Sequence, residues 1–323
     1  MCLYPTYIMN RKYLPNKKNG GNPPPVADDR VKYVAIGCGN CIECLKQKQR
    51  EWQIRLGEEI RTDNSGKFVT LTLSNENMQE LGNAIESFAT GYVKDNLIAT
   101  LAVRRFLERW RKKYKKSVKH WLITEWGEIT NRMHLHGIIF TDEVEDIKNI
   151  WKYGHVFIGE YVNEKTINYI IKYLNKIDLE HKGYKPKILT SPGIGKNYVK
   201  RFDSILNKYD GTKTKEYYRT RQGYKLALPI YYRNKIYSEQ EREKLWLNKL
   251  DSGEIWVMGE KININNEEGE QEYQDSLKYY QKMNTRLGYG NNKTNWNKKR
   301  YLDKRRKLKH LKEYAEYLRN KNK

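Results

Sequence analysis

The segment His134-Leu135-His136-Gly137-Ile138-Ile139-Phe140 constrains the folding of this chain more than any other stretch. Its pattern predicts a β-strand, and alternate side chains of a strand point to the same side of the sheet. His134 and His136 therefore share one face, while Leu135 turns toward the core. Because two imidazoles on one face can hold a divalent metal ion, this strand is also a candidate metal site.

Two tyrosines, Tyr169 and Tyr173, follow the histidine strand, each with a lysine three residues after it (Lys172 and Lys176). A helix over 164–177 would put the tyrosines one turn apart, with a lysine on roughly the side of each. A metal beside such a pair suits phosphoryl transfer onto a phenol oxygen. The tyrosines could equally be core residues of an amphipathic helix whose lysines are exposed.

A third metal ligand is expected from the strand that precedes the histidines. Glu125 stands near its end, and hairpin pairing of the two strands would bring its carboxylate close to His134 and His136. Two imidazoles and one carboxylate leave coordination positions for water and a phosphate oxygen. Mixed nitrogen and oxygen ligands suit Mg²⁺ or Mn²⁺ acting as a Lewis acid. Glu128 is the reserve candidate for the carboxylate.

Four cysteines suggest a second site. Cys38, Cys41 and Cys44 are spaced by two residues in a glycine-rich turn, and Cys2 is the other cysteine of the chain. Together they could form an all-thiolate zinc site that pins the N-terminus to the body. An iron–sulfur cluster and a set of reduced thiols are the alternatives.

The charge of the chain indicates its class of partner. The 323 residues carry 62 Lys and Arg against 39 Asp and Glu, a formal net charge of +23. This excess is larger than solubility needs and favours a polyanion, with nucleic acid preferred over a membrane surface or another acidic partner. The 26 Tyr and eight Trp agree with that preference, because nucleobases stack on aromatic rings.

Hydropathy predicts a protein without a membrane partner. No apolar run in the sequence approaches the length that spans a bilayer, and the first residues lack a signal-peptide pattern. We therefore expect a cytosolic protein. Four cysteines are also too few for a disulfide scaffold of this size.

The order of predicted elements indicates an α+β fold, with a central antiparallel sheet and flanking helices. The ends of the chain differ from this core. Residues 1–36 are rich in Lys, Asn, Gly and Pro and predict an irregular arm, whereas 251–290 look less regular than the helix at 239–250. Residues 291–323 have a net charge of +10 and predict a basic helix, or a tail that orders on nucleic acid. The predicted elements of the core are strands at 68–73, 119–124, 133–140 and 155–160 and helices at 97–116, 143–153 and 164–177.

The order of three segments resembles a known enzyme family. Phe68–Leu73, the histidine strand and the tyrosine segment resemble the three motifs of the HUH endonucleases, which include rolling-circle replication initiators, relaxases and some transposases. Two tyrosines spaced by three residues are similar to the two-tyrosine initiators of small single-stranded DNA phages. The first five residues, the cysteine cluster and 228–233 are similar to the initiators of the gokushovirus branch of the microviruses.

The resemblance implies an HUH-like fold and a mechanism. His134, His136 and Glu125 would bind Mg²⁺ or Mn²⁺. One tyrosine would attack a phosphodiester of single-stranded DNA at the phage origin, leaving a 5′-phosphotyrosine and a 3′-OH. The second would attack after one round of synthesis and release a circle. Lys172 and Lys176 would position or protonate the reacting groups, and the sequence leaves open which tyrosine acts first.

The resemblance also implies partners, a location and a domain plan. A host helicase and a host DNA polymerase would act with the protein in the bacterial cytoplasm, and the oligomeric state stays open. The predicted segments are an arm with the cysteine cluster and first helix (1–61), the HUH nuclease core (62–200), a Tyr-rich basic accessory region (201–290) and the basic tail (291–323).

Two other functions remain open from the sequence. A non-enzymatic, basic single-stranded nucleic-acid-binding protein would explain the charge and the aromatic residues, with the histidine pair as structure. It would not explain the ordered arrival of Glu125, the histidines and the tyrosines. A relaxase or transposase would use the same chemistry for a different purpose.

Overall fold

The computed structural model has the α+β fold that the sequence predicts, an antiparallel sheet flanked by helices with a helical C-terminal extension. Glu128 and 291–295 lie outside the described residues. Within the described ranges, no helix is both long and apolar enough to cross a bilayer. The structure describes residues 2–127, 131–177, 180–181, 183–290 and 296–321.

The strands and helices are numbered in chain order. The strands are β1 (Thr6–Met9), β2 (Tyr33–Ile36), β3 (Gly66–Thr72), β4 (Lys119–Trp126), β5 (Met133–Phe140), β6 (Val156–Ile158), β7 (Ile188–Thr190), β8 (Tyr217–Arg219), β9 (Lys225–Ala227), β10 (Glu254–Val257) and β11 (Glu260–Asn263). The helices are α1 (Ile42–Ile60), α2 (Asn75–Asn83), α3 (Gly91–Tyr114), α4 (Val144–Ile150), α5 (Glu164–Ile171), α6 (Ile230–Ile236), α7 (Glu239–Ser252), α8 (Glu267–Arg286) and α9 (Lys298–Lys321).

The chain divides into two compact units. One unit consists of 48–205 and 218–232, and the other of 1–47, 206–217 and 233–323. The segment boundaries that the sequence suggests, at residues 61, 200 and 290, stay a prediction.

A five-stranded antiparallel sheet organises the first unit, in the order β6-β3-β5-β4-β7. The histidine strand β5 is therefore central, hydrogen-bonded on both sides. β4 and β5 form the predicted hairpin, and its register sets Glu125 opposite His134. On the other side of β5, Thr72 of β3 is opposite the same histidine.

One face of this sheet packs on α2, α3 and α4. Leu71 and Leu135 from the strands meet Phe106 and Trp110 from α3, and all four are buried. Burial of each such side chain contributes about 1.5–3 kcal/mol to folding. This core holds Leu135 inside and so directs its two histidine neighbours to the opposite face.

The opposite face packs on α1 and α5. Leu56 of α1 and Ile167 and Ile170 of α5 pack there against Trp121 and Ile138 of the sheet. The histidines lie beyond this cluster on the same face, toward the start of β5. α5 therefore reaches the histidines while its own apolar residues anchor it to the sheet.

The second unit has more regular structure than the sequence suggests. The expectation of an irregular arm at 1–36 is wrong at its two ends, because β1 and β2 pair there as antiparallel strands, and it holds between them, where the chain forms only short 3₁₀ turns. Arg30 is buried and donates hydrogen bonds to Asp28 and, at 2.6 Å, to Asp251. The expectation for 251–290 is also wrong, since β10 and β11 form a hairpin that is followed by α8. The predicted basic C-terminal helix is confirmed as α9.

Gly137 lets β4 and β5 approach closely beside His136. A Cβ atom at this position would lie 2.0 Å from the Trp121 carbonyl oxygen and 2.8 Å from the Leu122 Cα. Neither backbone atom can move without disturbing the strand pair. The site therefore depends on a residue without a side chain next to its histidine.

We expect Gly137→Ala to lower the free energy of unfolding by about 3 kcal/mol, because the methyl group forces the two backbones apart. Urea unfolding at neutral pH measures the change. Gly57→Ala is the matched control, since a Cβ there meets no atom within 4 Å. The control should gain about 0.5–1 kcal/mol from helix propensity. Equal stability of Gly137→Ala and the wild type would contradict the prediction.

Candidate functional site

Two threonines orient the histidines. Thr72 Oγ1 lies 3.0 Å from His134 Nδ1, and Thr70 Oγ1 lies 3.0 Å from His136 Nδ1. Both threonines come from β3, directly opposite the histidines that they contact. Since each Nδ1 is engaged, Nε2 is the ring nitrogen through which each histidine would bind a ligand.

Glu125 lies where the sequence predicts, beside the histidines. One carboxylate oxygen is 2.8 Å from His136 Nε2, and the other is 2.7 Å from Lys176 Nζ. Burial raises the pKa of this carboxyl, but the hydrogen bonds from His136 and Lys176 outweigh burial and bring the pKa below its ordinary value. Glu125 is therefore ionised at neutral pH.

His134 is held in its neutral form. Burial lowers its pKa, and the neighbouring His136 lowers it further. A neutral imidazole and an ionised carboxylate are the protonation states that metal coordination requires. The nitrogen and oxygen donors of two histidines and one glutamate are therefore of the chemical type that binds a divalent metal ion.

The side chains of His134, His136 and Glu125 lie on one face of the sheet, but their ligand atoms do not converge on a common position. The two imidazole centroids are 6.1 Å apart with ring planes at 53°. Among the residues that the structure describes, only the four cysteines bring three or more ligand atoms within 4.8 Å of one another. The Glu125 carboxylate is instead bound by Lys176 and His136.

The sequence predicts one continuous helix over 164–177, and this prediction is wrong because the tyrosine segment is divided into two parts. α5 begins at an Asn163 cap and ends at Ile171, and Lys172–Leu174 forms a tighter 3₁₀ turn. The two tyrosines are four residues apart, and the change from an α-helical turn to a 3₁₀ turn rotates the second one only slightly. Their side chains therefore still lie on the same side of the segment. The Tyr173 hydroxyl donates a hydrogen bond of 2.8 Å to the Tyr169 hydroxyl oxygen.

The two tyrosines have different surroundings. Tyr173 is 5% exposed, and its ring stacks on His136 with centroids 4.7 Å apart and planes within 8°. Tyr169 is 42% exposed and meets the ring of Phe68 edge-on at 5.9 Å. The pair therefore consists of one accessible phenol and one phenol held against a histidine.

The lysines also lie at this face. Lys172 Nζ is 4.0 Å from the centroid of the Tyr169 ring and 5.2 Å from that of Tyr173. Lys176 Nζ, besides its bond to Glu125, is 5.7 Å from the centroid of the Tyr173 ring. The structure thus brings all the side chains proposed for the chemistry to one face of the sheet.

Thr70, Thr72 and Phe68 are site residues that sequence reasoning missed. The alternation of threonine with apolar residues marked their segment as a strand. It could not show which residue of β3 stands opposite which histidine, because that register depends on long-range pairing.

The cysteines form a compact cluster in the other unit. Cys2, Cys38, Cys41 and Cys44 all have Sγ atoms within 4.8 Å of one another, and the Cys2 and Cys41 sulfurs are 3.8 Å apart. A tetrahedral zinc site with Zn–S bonds of about 2.3 Å has sulfur–sulfur edges of about 3.8 Å. The cluster can therefore hold a metal ion.

Hydrogen bonds distribute the protons unequally among the four thiols. Hydrogen bonds to Cys2 lower the pKa of Cys38 and bring the pKa of Cys41 to about 7, whereas hydrogen bonds among the cysteines and burial raise the pKa of Cys2 and of Cys44. Backbone N–H groups also point at sulfur, with Tyr4 N 3.2 Å from Cys2 Sγ and Cys41 N 3.3 Å from Cys38 Sγ. Such donors stabilise the ionised sulfur that binds metals.

Comparison with known proteins finds phage replication proteins. Residues 66–178 match the model of a family of replication-associated proteins, the ORF2 family. The chain is 23% identical over 233 residues to replication-associated protein ORF4 of Chlamydia phage 1, covering 62% of this chain and 53% of that protein. It is 23% identical over 254 residues to replication-associated protein VP4 of Bdellovibrio phage phiMH2K, covering 69% of this chain and 75% of that protein. No solved structure matches.

These matches confirm the resemblance to phage replication proteins that the motifs indicate. The family match contains the candidate histidines, Glu125 and both tyrosines, and it ends before the accessory region. The chain spans about half the length of the Chlamydia phage relative. The chain is therefore similar to replication-associated proteins of phages.

Proposed function

We propose that this protein initiates phage DNA replication by nicking and rejoining single-stranded origin DNA through a 5′-phosphotyrosine intermediate. The observation that carries the proposal is the hydrogen-bonded pair Tyr169–Tyr173, which lies against His136 on the face that also bears His134 and Glu125. Two nucleophiles beside one candidate metal site suit successive cleavage and rejoining. The family match over 66–178 supports the same role.

His134, His136 and Glu125 would hold Mg²⁺ or Mn²⁺ in this proposal. Their donor atoms are nitrogen and ionised oxygen, and the threonines engage Nδ1 of both rings, which leaves Nε2 as the coordinating nitrogen. His136 Nε2 would give up its 2.8 Å contact with Glu125 to the ion. When bound, the ion supplies Lewis-acid polarisation of the scissile phosphate. Glu125 would exchange its contact with Lys176 for the ion.

Tyr169 is the first nucleophile in this proposal. A free tyrosine, with a pKa of about 10, is a poor nucleophile at neutral pH. Tyr169 accepts the hydrogen bond from Tyr173, and the ammonium of Lys172 lies over its ring. Tyr169 is also the more accessible phenol of the pair.

The proposed reaction exchanges one phosphoester bond for another. The Tyr169 phenol loses its proton to solvent, and its oxygen forms a bond to phosphorus while the bond from phosphorus to the 3′-oxygen breaks. The 3′-oxygen leaves as a hydroxyl after taking a proton from a lysine ammonium, with Lys172 and Lys176 as the candidates. Tyr173 repeats the attack after one round of synthesis. The free 3′-OH then attacks the first phosphotyrosine and closes the circle.

The cellular setting is proposed from the same chemistry. Single-stranded DNA at the phage origin is the substrate, and a host DNA polymerase extends the 3′-OH. The sequence has no phosphate-binding loop motif, so we propose that a host helicase separates the strands. The proposed location is the cytoplasm of the host bacterium.

We expect Tyr169→Phe to abolish the covalent adduct on single-stranded origin DNA with Mn²⁺ or Mg²⁺. Tyr173→Phe should still form the first adduct, but about 10- to 100-fold more slowly, because a hydrogen bond to a charged oxygen is worth about 1.5–3 kcal/mol. It should not complete the second transfer. Denaturing gels and peptide mass spectrometry measure both effects.

DNA binding is the control for both tyrosine variants, and it should stay at the wild-type level. A Tyr169→Phe protein that forms an adduct at Tyr173 at the wild-type rate would reverse the proposed order. A wild-type protein that binds the DNA without any adduct in either metal would favour the non-enzymatic binding protein, which the net charge of +23 alone could explain.

We expect Lys176→Met to tighten Mn²⁺ binding by about threefold to tenfold, since the partly exposed ion pair that competes for Glu125 is removed. Calorimetry or electron paramagnetic resonance without DNA measures this affinity. Lys172→Met is the matched control, because its ammonium lies over the tyrosine rings. Unchanged or weaker binding in Lys176→Met would show that Lys176 does not compete with the ion.

We propose one structural zinc ion at the four cysteines. Purified protein should release one equivalent of zinc when its thiols are modified, and Cys38→Ser should lose both the zinc and the cooperative unfolding of its unit. His134→Ala is the control and should keep its zinc. Visible charge-transfer absorbance would point to an iron–sulfur cluster instead. If the wild-type protein has four thiols that react with a thiol reagent and contains no zinc, and Cys38→Ser is as stable as the wild type, the cysteines are reduced thiols without a metal.

A further inference from the structure

We infer that Phe157 on the edge strand β6 is a stacking platform for an unpaired nucleobase that flanks the scissile phosphate. This inference rests on the proposed function and specifies how the site holds its DNA. Phe157 is 52% exposed, so about half of its side chain is accessible to a ligand.

The register of the sheet puts Phe157 on the histidine face. It is paired with Thr70 of β3, and Thr70 is paired with His136 of β5. Directly paired residues of neighbouring strands point to the same side. The ring therefore stands in line with the candidate metal ligands, at the outer edge of the sheet.

A row of rings joins Phe157 to the proposed nucleophile. Its centroid is 6.1 Å from that of Phe68, which is 5.9 Å from that of Tyr169. Gly159 keeps this row uncovered, because a Cβ there would lie 3.3 Å from the Phe68 ring. DNA that reaches Tyr169 therefore has an aromatic surface on the β6 side.

Packing gives little reason for an aromatic residue at this position. Val156 and Ile158, its neighbours on β6, turn to the other face and pack on the core of α3. Phe157 belongs to neither buried cluster of this unit. Its outer ring surface is open to a ligand.

An unpaired base is the partner that this surface fits. Stacking of a base on an aromatic side chain contributes about 1–3 kcal/mol and tolerates any base, because every base has a π face. A duplex keeps those faces covered by its own stacking. The platform would therefore favour a single strand and fix its path across the edge of the sheet to Tyr169.

The test uses the full chain and single-stranded origin oligonucleotides in buffer without divalent metal, so that binding is measured without cleavage. 2-Aminopurine replaces the base on either side of the cleavage point. Wild-type protein should quench its fluorescence at one of the two positions. Phe157→Ala should abolish that quenching and weaken binding by about fivefold to 100-fold.

Two further variants control for fold and chemistry. Phe88→Ala removes a fully exposed phenylalanine from the loop before α3 and should leave both binding and quenching unchanged. Phe157→Leu keeps an apolar side chain on β6, and Phe157→Trp keeps a stacking ring. Loss in the leucine variant and retention in the tryptophan variant, at unchanged melting temperature, are the expected pattern.

Binding and quenching in Phe157→Ala and Phe157→Leu that match the wild type would overturn the inference. The outcome is separable from the proposed reaction. If wild-type protein forms the tyrosine adduct and the Phe157 variants bind normally, the platform alone is wrong. If wild-type protein forms no adduct while Phe157→Ala binds weakly, the proposed chemistry is wrong and the platform stands as a DNA-binding surface.

Discussion

The register between β5 and its two neighbours is the constraint on which the candidate site depends. Side chains alternate along a strand, so a slip of one residue would turn both histidines into the α3 core and expose Leu135. Because the core with α3 requires Leu135 to be buried, it determines that the histidines lie on the opposite face of the sheet. Gly137 adds a second condition, because the close approach of β4 and β5 beside His136 admits no side chain. Stability and site geometry are thus set by the same strand pair.

Electrostatic pairing explains how this face tolerates several ionisable groups at partial burial. Glu125 is bound by His136 and Lys176, so its charge is compensated within the site. A buried carboxylate without such partners would be costly. The lysines also supply positive charge beside the phenols, where a phosphate would arrive. In the protein without ligands, Lys176 and His136 compensate the charge of Glu125. A bound metal ion and a nucleic acid would replace these contacts with their own.

Local patterns predicted much of this site, and long-range contacts account for the rest. Hairpin spacing was enough to bring Glu125 to the histidines, and i, i+4 spacing was enough to pair the tyrosines. The sequence did not indicate that α3 begins at Gly91, because its first turns are stabilised by Asn96, which contacts Thr124 and Lys185 across the fold. Nor could composition reveal that Arg30 would be buried against Asp251, a partner 221 residues away. A high content of glycine, proline and lysine indicates that a segment is flexible in isolation. Its contacts with distant parts of the chain decide whether it is ordered in the folded protein.

The hydrogen bond between the two tyrosines has a consequence for the order of events. On the proposed chemistry, the first cut turns the Tyr169 oxygen into a phosphoester oxygen, which is a weaker acceptor than the oxygen of a phenol. The hydroxyl of Tyr173 then loses the partner that held its proton. The contact that directs the second hydroxyl toward the first tyrosine would therefore weaken only after the first has reacted. A single bond between two side chains would thus separate the two cuts in time, and closing the circle would free Tyr169 while Tyr173 carries the next phosphotyrosine.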